Sequence, residues 1–173
     1  EFMIEQYTEF VQTYGAGDTK LIASVTTPHE ISELFDSSMI YFRASLAPTA
    51  VFAESDLYIL PAEGPQTVNT GVSFAFCQSP ENILLFGVDL GTANLDNFRS
   101  KGAIGHTSRK MDLEYRGNFQ PLVYTEQLLL DSVHMLEGWE HAEDHVSGNV
   151  NMYNCSNGVF IDGWKPLLPK DSL

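Results

Sequence analysis

The sequence predicts an α/β fold with a mainly parallel sheet and helices on both of its faces. Two observations carry that expectation. Helix-like and strand-like stretches alternate along the chain, a pattern that favours right-handed crossovers between parallel strands. The run Asn82–Val88 (NILLFGV) is almost continuously apolar and closes on Asp89 and Gly91, as a buried parallel strand does where it opens into a loop. A doubly wound nucleotide-binding fold normally opens with a strand and a glycine-bearing turn. This chain opens with a helix, so we expect part of such a domain. Residues 3–173 are read as one domain, and Glu1-Phe2 ahead of Met3 as a cloning scar.

Residues 3–14 place Ile4, Tyr7, Phe10, Val11 and Tyr14 on one helical face, and Gly15 and Gly17 end that helix. Lys20–Thr26 reads as a strand and Pro28–Phe35 as a helix with proline in its first turn. Ser38–Arg43 is a second strand. Residues 44–61 are mostly loop, with Asp56–Leu60 as a short strand. Gly64-Pro65 signals a turn, and Thr67–Cys77 then forms an apolar helix of small residues. The strand Asn82–Val88 gives way to a long loop reaching residue 118. Thr125 is read as the cap of a helix running to His145, with Leu129, Val133 and Leu136 in one stripe and Leu128, Met135, Trp139 and Ala142 beside it. Asn149–Cys155 is the last strand, and GVFIDGW a hairpin-like tail.

Composition excludes several functions. The chain has 173 residues, 43% of them hydrophobic and 12% aromatic, which suits a globular fold. No stretch has the roughly 18 apolar residues of a membrane span, and no signal-peptide pattern opens the chain. Cys77 and Cys155 form neither a disulfide framework nor a metal pattern, so a reducing cytoplasm is the expected setting. A net charge of −14 argues against a nucleic-acid surface. It leaves room for a small anion, because five of the nine cationic residues (Arg99, Lys101, Arg109, Lys110 and Arg116) fall in the long loop.

Five places are candidates for chemistry. Thr67, Asn69 and Thr70, at a helix start, present backbone N–H groups and side-chain donors to a phosphate or carboxylate; an ordinary cap is the alternative. Asp89 at the strand end suits hydroxyl binding or general-base work, or simply caps a turn. His106, among the loop cations, suits proton transfer beside an anionic leaving group, unless the loop is only a solvated one. His141 and His145 share a helix face, but no third ligand is marked by spacing, so no metal is expected. Asn154 and Ser156, ahead of Gly158, line a pocket or form a turn.

The runs GPQTVNTGVSFAF, ILLFGVDLG, the loop with GHT, YRGN…LVYTEQLLL and VNMYNCSNGVFIDG together resemble the central domain of the motility-associated factor (Maf) flagellin glycosyltransferases. The likeness extends from about Gly64 to Gly163, and it lies in the order and spacing of several short motifs. It implies a Rossmann-like, sialyltransferase-like domain that needs no metal or other cofactor. It also implies transfer of a nonulosonic acid, pseudaminic or legionaminic, from its CMP donor to Ser or Thr of flagellin. Thr67, Asn69, Thr70 and Asp89 would then lie at the donor site, with Arg109 and Arg116 as cations for the anionic donor. His106 would be the base, and Asn154 and Ser156 would border the pocket. Two other readings remain open at this stage. One is an ATP-dependent pterin diphosphokinase of the same superfamily, and the other is a non-enzymatic module that binds flagellin.

Overall fold

The structure is a computed structural model, and it describes residues 2–43, 59–61, 64–97, 110–139 and 150–168. The α/β class is borne out: parallel strand pairs recur with helices between them. The chain forms two compact units, Glu1–Pro61 and Ala62–Leu173.

In the first unit, helix α1 (Phe2–Tyr14) stops at Gly15, whose backbone sits in the left-handed region at φ 75°. Strand β1 (Leu21–Ser24), the single-turn helix α2 (His29–Ser32), strand β2 (Ser38–Arg43) and the short strand β3 (Ile59–Leu60) follow. The order β1-β2-β3 is parallel throughout, with Leu21 opposite Ser38 and Phe42 opposite Ile59. Helix α2 is shorter than its sequence pattern suggests, because Ile31 is its one buried anchor. The aromatic face of α1 is open in this chain, with Tyr7, Phe10 and Tyr14 all exposed.

In the second unit, helix α3 (Thr67–Cys77) buries Asn69, Val72, Ser73 and Phe76, positions three and four apart on one face. Strand β4 (Asn82–Leu85) alternates, with Ile83 and Leu85 inward. It pairs in parallel with β7 (Asn151–Asn154), which pairs in parallel with β8 (Lys165–Pro166). A separate antiparallel pair joins β5 (Leu113–Tyr115) to β6 (Val123–Thr125). Helix α4 (Gln127–Glu137) turns Leu129, Val133 and Leu136 into the core, where Phe76 of α3 stacks on Trp139 at 4.3 Å between ring centroids.

Four local expectations are corrected. The central strand ends at Leu85 and not at Val88, because Gly87 has φ 67° and the Val88 N–H is taken by the Ser156 hydroxyl. Thr125 does not cap α4. It closes β6, and its hydroxyl donates to the Leu90 carbonyl at 2.7 Å, while Glu126 stands at the cap. The α4 helix ends at Glu137, with Gly138 as its C-cap, and Leu128 faces outward. The tail is no hairpin. Val159 bridges to Gly117, the chain turns at Asp162-Gly163, and β8 runs parallel to β7, fixed by Trp164, whose indole N–H donates to the Leu136 carbonyl at 2.9 Å.

Candidate functional site

Strands β4 and β7 place Leu85 directly opposite Asn154, so their carboxyl ends lie side by side. In open α/β sheets this edge is where ligands bind. Past it, Ser156 takes over from strand pairing. Its hydroxyl donates to the Leu85 carbonyl at 3.2 Å and accepts from the Val88 N–H at 2.7 Å. The β4 strand therefore bends away and delivers Asp89 to the edge with an exposed carboxylate.

The main chain of Asp89 is held tightly. Its carbonyl accepts the Val159 N–H at 2.8 Å, and Gly158 lies so close that an added Cβ would overlap Asp89 backbone atoms. Leu90 next to it has φ 48°, and the Thr125 hydroxyl holds its carbonyl. Gly91 is similarly crowded by Val159 and the Tyr124 carbonyl.

Asn154 is fully buried, and its amide is committed within the turn that follows. It donates to the Val159 carbonyl at 3.1 Å and accepts from the Ser156 N–H at 3.0 Å. Asn118 reaches in from the other side, donating through Nδ2 to the carbonyls of Asn154 and Ser156, both at 2.9 Å. Asn154 and Ser156 are thus brought together at the β7 end, where they shape the backbone beside Asp89.

Helix α3 leads through residues 78–81 into β4, and its start carries three residues marked in the sequence. There Thr67 is exposed and Thr70 half-buried. Asn69 is fully buried and turned toward α4. Its Oδ1 accepts from the Gln66 N–H at 3.2 Å and from the Ser132 hydroxyl, and its Nδ2 donates to the Ser132 carbonyl at 3.0 Å.

Arg116 is exposed, with its guanidinium 3.6 Å from the centroid of Phe160. It lines a cleft of about 700 Å³ together with Glu114, Tyr115, Glu137, Phe160 and Asp162. Burial pushes the Tyr115 phenol above its ordinary pKa, and the carboxylates of Glu137 and Asp162 add to that shift. His106 and Arg109, with His141 and His145, lie outside the described residues. Among the described residues, no group of three or more His, Cys, Asp or Glu is placed to hold a metal ion. No described helix is long and apolar enough to cross a membrane.

Among solved structures, the chain is similar to a MAf glycosyltransferase from Magnetospirillum magneticum AMB-1, with 30% identity and a TM-score of 0.77. The similarity covers 98% of this chain and 25% of that one. The chain is Maf-like over nearly its whole length. It spans a quarter of the solved Maf protein. No protein-family model and no curated protein matches it.

Within this Maf-like frame, the sequence motifs miss Asn118, Thr125 and the part played by Gly158. Asn118 closes the motif YRGN, and its signal is a lone asparagine after a glycine turn, which carries no partner information. Thr125 reads as a helix cap because a threonine ahead of an apolar stripe usually is one.

Proposed function

We propose that this chain forms the donor-site part of a glycosyltransferase. The reaction is transfer of a nonulosonic acid, pseudaminic or legionaminic, from its CMP donor to a Ser or Thr hydroxyl of flagellin. The observation that carries this reading is the Maf likeness across 98% of the chain. The geometry supports it in one further respect, because the parallel β4 and β7 carboxyl ends frame Asp89 at the ligand edge of the sheet.

In this reading the exposed Asp89 carboxylate binds the donor's hydroxyls or takes the proton of the attacking acceptor hydroxyl. Thr67 and Thr70, at the α3 start, offer hydroxyls to the donor. Backbone N–H groups of the first helical turn favour the negative charge of its phosphate. Arg116 and Arg109 add positive charge for the departing CMP, and His106 is a second base candidate. Asn69, Asn154 and Ser156 act through the backbone they hold.

Two measurements test the proposal. The full-length protein should transfer the sugar from CMP-pseudaminic acid or CMP-legionaminic acid to purified flagellin. Its melting temperature should rise with CMP and stay fixed with ATP and Mg²⁺, since a ligand that binds only the folded state stabilises it. A rise with ATP-Mg²⁺ and none with CMP would overturn the proposal in favour of a kinase.

A further inference from the structure

We infer that Asn118 is a positioning residue for Asp89, an inference that rests on the reading of Asp89 as the carboxylate that takes the acceptor's proton. Asn118 does not need to touch Asp89 to do this, because it holds the turn on which the Asp89 main chain rests. Three of its bonds go to that turn: Nδ2 to the carbonyls of Asn154 and Ser156, and its own N–H to the Gly158 carbonyl at 2.8 Å. From the same turn, three contacts run on to the Asp89 loop. The Ser156 hydroxyl holds the Val88 N–H, the Val159 N–H holds the Asp89 carbonyl, and Gly158 packs against Asp89 backbone atoms with no room for a Cβ. The turn is thus gripped on one side by Asn118 and grips Asp89 on the other.

The orientation of the Asn118 amide supports a task beyond packing. Both of its N–H bonds are spent on backbone carbonyls, and its buried Oδ1 has no hydrogen-bond partner among the described residues. An amide kept for stability alone is better placed where donor and acceptor are both met. Here the acceptor goes unmet while two carbonyls at the carboxyl end of β7 are fixed. Shifting that turn by about 1 Å would move the Asp89 backbone with it, and a displacement of that size at a reacting group costs on the order of 100-fold in rate.

A double-mutant cycle in the full-length protein tests this, with CMP-nonulosonic acid and flagellin as substrates. Asn118→Ala should lower kcat by about 10- to 100-fold and leave KM for the donor within about twofold. In the Asp89→Ala background the same substitution should cost nothing more, because a residue that acts only through Asp89 has nothing left to position. Equal losses in both backgrounds, or a wild-type rate for Asn118→Ala when Asp89→Ala is defective, would overturn the inference and leave the role of Asp89 intact. A wild-type rate for Asp89→Ala would remove the underlying reading and the inference with it. Should Asn118→Ala not fold, Asn118→Ser retains one donor and is read in the same cycle.

Discussion

At Gly158 any side chain would meet the main chain of Asp89, so Gly158→Ala must force the turn and the Asp89 loop apart. Overpacking of this kind costs about 1–3 kcal/mol, and chemical denaturation should show it as a lower midpoint with an unchanged slope. Asn154→Ala acts differently, because it strands the Val159 carbonyl and the Ser156 N–H inside the protein; we expect a loss of about 2–3 kcal/mol in the same measurement. Cys155 offers a check on burial. Its thiol is pushed above the ordinary value of 9.0 by desolvation, whereas Cys77 is exposed. Because the folded pKa is the raised one, the contribution of Cys155 to stability is full below pH 9.0 and is lost as pH climbs through the raised value. At neutral pH a thiol reagent should therefore label Cys77 alone in the folded chain, and Cys155 as well once it unfolds. The sequence marks Asp89, Asn154 and Ser156 as residues of interest because they stand at strand ends beside glycines. It does not reveal that Asn154 and Ser156 spend their side chains on backbone. The Asn154 side chain closes its own turn on Val159 and Ser156, and that of Ser156 reaches Leu85, 71 residues away, which the pairing of β4 with β7 brings in.

Among the elements, those with a strong periodic signal are legible. Helices α1 and α3 and strand β2 have the bounds their patterns suggest, to within a residue. The β5 and β6 strands are not legible, since three residues apiece are too few to set up an alternation against a background of turn residues. Missing β6 is also what turns Thr125 into an apparent helix cap. The α3–α4 contact rests on Asn69 and Ser132, both fully buried. Ser132→Ala removes a buried donor from Asn69 and should cost about 1–2 kcal/mol, while Thr67→Ala, at an exposed position on the same helix as Asn69, should stay within about 0.5 kcal/mol. Thermal melts of the two variants side by side give the comparison directly.

For the whole molecule, an acidic chain of net charge −14 binds an anionic donor only if local geometry overrides the mean field. In the proposed reading the start of α3 and the exposed Thr67 provide such a place, and Arg116 adds a cation although its cleft also holds Glu114, Glu137 and Asp162. We therefore propose that the donor lies at the β4–β7 edge, with Asp89 as its central residue. The most direct test is sugar transfer to flagellin from a CMP-nonulosonic acid by full-length Asp89→Ala protein, with circular dichroism to confirm the fold. We expect a well-folded variant whose rate falls by about 100-fold or more. A folded variant that transfers at the wild-type rate would contradict the proposal.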